Sequence, residues 1–81
     1  MLEKDKMYSV IDIESNGAGF RKESIIEIAV YRYDGHEIVD QFISLVNPES
    51  EITPFVQKLT KISPKMVKTA PKFHEIAKRV I

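Results

Sequence analysis

Tyr8-Ser9-Val10-Ile11-Asp12-Ile13-Glu14-Ser15-Asn16-Gly17 runs from an apolar, β-branched segment through two acids into a small-residue turn. Met7 to Ile13 is mostly apolar and rich in β-branched residues, a composition that favours a strand. Side chains alternate between the faces of a strand, so Asp12 and Glu14, two positions apart, share one face. Ser15-Asn16-Gly17-Ala18-Gly19 then reads as a loop, whose two glycines permit positive φ or close backbone approach. Two carboxylates therefore stand together at the carboxyl end of a strand, next to that loop. Ionised, they repel each other, which costs stability unless a cation or hydrogen-bond donors compensate. Their all-oxygen chemistry suits Mg²⁺ or Mn²⁺. Taken alone, an Asp-x-Glu is more often a solvated strand end than a metal site.

Outward from this stretch the pattern stays legible. Ile25 to Tyr33 is a second strand, and Asp34-Gly35 suits a two-residue type I′ hairpin turn. Glu37 to Val46 is then a third strand, antiparallel to the second because so short a loop allows nothing else, and Asn47-Pro48 ends it. Pro54 can start a short helix through Phe55, Val56 and Leu59. Ser63-Pro64 pairs an N-cap with proline at the first helical position, and Thr69-Ala70-Pro71 repeats that kind of start. Phe73, Ile76, Ala77 and Val80 fall at i, i+3, i+4 and i+7, one apolar helix face. Arg79-Val80-Ile81 carries no stop signal. Three strands and a running helix leave a sheet face with little to cover it, so the chain reads as the first part of a larger domain.

Composition bounds the alternatives. With 81 residues the chain is one domain at most. It has no cysteine, which removes disulfide and thiolate-metal frameworks and is compatible with the cytoplasm, the expected location. Hydrophobic content of 43% and charged content of 30% describe a globular chain, not a disordered one. No apolar run approaches the length of a membrane span, and no signal peptide is recognised. Net charge is zero but unevenly spread. After residue 53 the only acid is Glu75, against Lys58, Lys61, Lys65, Lys68, Lys72, Lys78 and Arg79. That asymmetry permits a basic face toward phosphate, although a solvated helix surface would look the same.

Tyr8 to Gly17 resembles the first exonuclease motif of the DEDD superfamily, which includes the proofreading epsilon subunit of bacterial DNA polymerase III. Ile25-Ile26-Glu27-Ile28-Ala29-Val30 resembles the second-strand signature of that family. Phe42-Ile43-Ser44-Leu45-Val46-Asn47-Pro48 is similar to its third strand and exit. Leu59-Thr60-Lys61-Ile62, then Met66-Val67, Ala70-Pro71 and Phe73, resemble its helical segment. Four blocks in order are more specific than any one of them. The resemblance implies a ribonuclease H-like α/β fold, incomplete here, with residues 1–81 as the amino-terminal part of a single exonuclease domain. It implies hydrolysis of the terminal phosphodiester at a nucleic acid 3′ end, single-stranded DNA foremost, with two Mg²⁺ or Mn²⁺ ions. Asp12 would contact both metals and Glu14 one. Backbone groups of Ser15, Asn16 and Gly17 would approach the terminal nucleotide. DNA polymerase III subunits would be partners.

The chain departs from the family pattern in three places. Ser15 and Asn16 stand where the family usually has two threonines, and Lys61 stands where it often has glycine. The family's later blocks, which contribute two aspartates and a histidine general base, are absent; His36 and His74 read as surface histidines and do not replace them. The 81 residues alone are therefore expected to be inactive. Glu27, among apolar neighbours, has two readings: an acceptor that orients the Ser15–Gly17 loop, or a solvent-facing residue. Tyr8, Tyr31, Phe42, Phe55 and Phe73 read as core or half-core rather than as base-stacking platforms. The competing functional readings are a catalytically silent fragment and an interaction module that self-associates through its uncovered sheet.

Overall fold

β-Branched, apolar and aromatic residues dominate 25–33, and that segment forms the central strand of a three-stranded antiparallel sheet. The computed structural model describes residues 6–17 and 22–80, the side chains of Lys22 and Val80 excepted. The strands are β1 (Tyr8–Ser15), β2 (Ile25–Tyr33) and β3 (Ile38–Leu45), in spatial order β1-β2-β3. A short 3₁₀ turn, Lys22–Ser24, leads into β2 and is absent from the sequence reading. Three helices follow: α1 (Pro54–Thr60), α2 (Pro64–Val67) and α3 (Phe73–Val80). None is long and apolar enough to cross a membrane.

Register assigns the faces. Ile11 and Ile13 of β1 stand opposite Val30 and Ile28 of β2, and Val30 also stands opposite Phe42 of β3. On this face α3 packs: Ile28, Val30 and Ile76 form one buried cluster with Ile25 and Val46, and Phe42 and Phe73 close around it. The expected apolar face of α3 is thus real at Phe73 and Ile76. The Arg79 guanidinium lies over the Phe42 ring, 4.4 Å from its centroid. A second cluster, Ile26, Ile52, Ile62 and Val67, joins the segment after β3 to α2 at the start of β2. Ile26 is wholly buried there.

The connections differ in detail from the sequence reading. The hairpin between β2 and β3 is a four-residue loop, not a two-residue type I′ turn, because Tyr33 pairs with Ile38. Asp34 explains the longer loop: its Oδ1 accepts from the backbone N–H of His36 at 2.8 Å and of Glu37 at 2.9 Å, an Asx turn that closes without φ > 0 at two successive residues. These donors hold the Asp34 carboxyl below its usual range. The strand β1 runs to Ser15, past Ile13. Ser63 caps α2 as expected, its Oγ accepting from the Met66 N–H. The next helix begins only at Phe73, because Glu75 Oε1 accepts from the Lys72 N–H at 2.8 Å and sets the start there. Phe55, expected in the core or at its edge, is 73% exposed: α1 turns Phe55 and Leu59 outward and packs the half-buried Val56 against the second cluster.

Candidate active site

Asp12 and Glu14 stand on one face of β1, opposite Ala29 and Glu27 of β2. Alternation along the strand produces this, and the register shifts only after Glu14. Asp12 is exposed and Glu14 half-buried. This face is opposite to the one α3 covers. Glu27 lies directly across from Glu14, a like-charge pair that costs a few tenths to about 1 kcal/mol when both are ionised. Glu27 extends the acidic face, half-buried, between Glu14 and Leu45.

The loop after β1 is fixed from three sides. The Asn16 N–H donates to the Ser24 carbonyl at 2.7 Å, and its carbonyl accepts from the Thr53 N–H at 3.2 Å. Its side-chain Nδ2 donates to Ser50 Oγ at 2.5 Å. Asn16 is wholly buried, so the expectation that it meets the terminal nucleotide is corrected: side chain and backbone are spent inside, tying the end of β1 to the segment before α1. Ser15 is half-buried, with its Oγ 3.4 Å from the Gly17 N–H. Gly17 is exposed at φ +89°, and a Cβ there would meet Val56 Cγ2 at 3.0 Å and Thr53 Oγ1 at 3.1 Å. Glycine is required twice over, for its φ and for the approach of α1. Ala18 and Gly19 lie outside the described residues.

Ser24, Ser50 and Thr53, which hold this loop, escaped the sequence reading. Thr53 was within reach of it: Thr53-Pro54 is the same N-cap and proline pair as Ser63-Pro64, and Thr53 Oγ1 does accept from the Val56 N–H at 3.2 Å. Ser24 and Ser50 had no local signal, since their partner lies 8 and 34 residues away. Lys61 keeps a left-handed conformation at φ 65°, its N–H donating to the Gln57 carbonyl at 2.9 Å. The turn has therefore not changed shape for want of a glycine; the lysine bears the strain.

The two carboxylates are the right chemistry for a hard divalent cation. Among the described residues, no third histidine or acid stands near enough to complete a metal set. His36, in the hairpin loop, and His74, on α3, are both exposed.

Comparison with known proteins decides the family. The RNase_T (Exonuclease) family model matches residues 9–81. This chain belongs to that exonuclease family. The 3′-5′ exonuclease DinG of Staphylococcus aureus (strain USA300) is 33% identical over 73 residues, 90% of this chain and 8% of that protein. Exonuclease X, solved in complex with 5′ overhanging duplex DNA, superposes with a TM-score of 0.77 at 27% identity, over 88% of this chain and 41% of that one. The nuclease domain of 3′hExo, a DEDDh family member bound to rAMP, gives 0.73 at 30% identity, over 91% of this chain and 41% of that one. The ribonuclease H-like fold expected from the four sequence blocks is therefore present in part: three antiparallel strands and the helices after them. The chain spans well under half the length of each of these relatives.

Proposed function

We propose that the protein is a metal-dependent exonuclease that removes nucleotides from the 3′ end of a nucleic acid chain. The observation that carries the reading is the pair Asp12 and Glu14. Inside a chain that matches the exonuclease family from residue 9 onward, they share an open face at the end of β1, beside a loop packed too closely for anything but Gly17. Asp12 and Glu14 would hold Mg²⁺ or Mn²⁺, which when bound would neutralise charge at the scissile phosphate and activate the attacking water. Glu27 adds negative potential behind Glu14 and so favours a cation on this face. Ser15 and Gly17 lie at the edge where a terminal nucleotide would sit, and Asn16 holds them there from within. The remaining ligands and a general base must come from outside the described residues, so the 81 residues alone are inactive in this reading. The cytoplasm, single-stranded DNA and a proofreading role beside polymerase III subunits belong to the same proposal; the last rests on the epsilon-like motif alone.

The test is turnover of the full-length protein on single-stranded DNA with Mg²⁺. A single oriented electrostatic group is worth ~10²–10³ in turnover, and a shared metal ligand should exceed that. Asp12→Ala is expected to be folded and inactive, while Asp40→Ala, on exposed β3, stays active. Near-wild-type turnover in a folded Asp12→Ala protein would remove the site assignment, and an equally dead Asp40→Ala would remove the argument from motif position.

A further inference from the structure

The strand order β1-β2-β3 makes β3 an edge of the described sheet. It is long for an uncovered edge, at 8 residues, and Ile38, Val39 and Ile43 are roughly half-exposed along it. Its bonding shows which groups point outward. The Gln41 N–H donates to Oδ1 of the neighbouring Asp40 at 2.9 Å, and so turns away from β2. Ile43, two along in regular register, turns its backbone the same way. An exposed edge of this kind is a template for another strand. β2 separates it from Asp12 and Glu14, so a strand added here leaves those carboxylates open.

Charge and register identify that strand as β3 of a second copy. In a two-fold antiparallel pair, residues directly opposite share a face, so one residue must stand opposite itself. Asp40 in that place would set two carboxylates together. Phe42 there would bring together the two Arg79 guanidiniums, each 4.4 Å from the centroid of its Phe42 ring. Ile43 there would leave Asp40 opposite Val46, beyond the end of the strand. Gln41 avoids all three. It exchanges N–H···O=C bonds with its own counterpart and sets Ile43 opposite Val39 of the second copy. It also sets Asp40 opposite Phe42 of the second copy, at a non-hydrogen-bonded position, where side chains approach most closely. That ring carries Arg79, and Asp40 lines a hollow there with the cations Arg32, Lys78 and Arg79. The pairing stops at Val39, where the register of β3 on β2 shifts. We propose that the protein forms a two-fold dimer through β3, centred on Gln41, in which Asp40 releases the Gln41 N–H of its own chain and pairs with Arg79 of the second copy.

Sedimentation equilibrium of the full-length protein should show a dimer that tightens as salt is lowered. Asp40→Arg and Arg79→Asp should each raise its dissociation constant about 10-fold or more, because every change counts twice in a two-fold interface and sets like charges face to face. The two reversals combined in one chain should bring the constant back to within about 3-fold of the wild-type value, since they restore opposite charges. Gln41→Pro removes an outward N–H and no bond to β2, so it should leave a monomer with an unchanged circular dichroism spectrum. Hydrogen exchange at the Gln41 and Ile43 amides should slow as protein concentration rises. A protein that stays monomeric overturns the dimer: fast exchange at those amides leaves the edge to a different partner, and slow exchange gives it to another segment of the same chain. A dimer indifferent to all three single variants uses another face and overturns it as well. So does a combined reversal that keeps its circular dichroism spectrum and stays as weak as the single ones.

Discussion

β1 and β2 are neighbours built from the same kinds of residue, and they meet opposite fates. Ile26, Ile28 and Val30 of β2 are buried, while Val10, Ile11 and Ile13 of β1 remain roughly half-exposed. Composition does not separate them; position does. β2 is central and lies beneath α3, whereas β1 is an edge strand of the described sheet and α3 stops short of it. The strand that bears the candidate chemistry is the one left open. Burial would force its carboxylates to shed water at several kcal/mol each, so the same openness that costs β1 stability keeps Asp12 usable.

Substitutions on the two strands test this contrast. The largest effect is expected for Ile28→Ala, about 2–5 kcal/mol lost in urea denaturation, because the cavity opens in a packed cluster. Ile11→Ala, on the same face and 49% exposed, should cost about 1 kcal/mol in the 81-residue chain. Equal losses would end the distinction between the strands. A larger Ile11→Ala loss in the full-length protein would measure how far other segments cover β1.

Asn16→Ala comes next. It removes the buried clamp to Ser50 and should cost about 1–3 kcal/mol. Hydrogen exchange at the Thr53 amide should quicken, since that N–H bonds to the Asn16 carbonyl. An unchanged Thr53 amide would show that Asn16 does not join the open strand to α1. Lys61→Gly should instead stabilise by about 1 kcal/mol, by relieving the left-handed lysine; no gain in melting temperature would mean the conformation costs nothing there. Acid has the smallest expected effect. The Asp34 carboxyl titrates below its usual range, so its hold on the hairpin loop is complete above that range and fades as pH falls through the lowered value. The His36 and Glu37 amide resonances should report that titration, and Asp34→Asn should abolish it.

Sequence alone determined the strand pattern, the two helix starts at Pro54 and Pro64, and the shared face of Asp12 and Glu14. Each of these follows from period, caps or alternation, which are set by residues a few positions apart. The surroundings of Asn16, Phe55 and Glu27 come from contacts distant in the chain. Asn16 is buried because Ser50 and Thr53 arrive from more than thirty residues away. Phe55 is exposed because Gly17 draws Val56, not its neighbour, against the loop. Glu27 faces Glu14 because the register of β1 on β2 places it there. Local spacing says which side chains lie together on an element; which side of that element meets protein or water is settled by contacts distant in the chain.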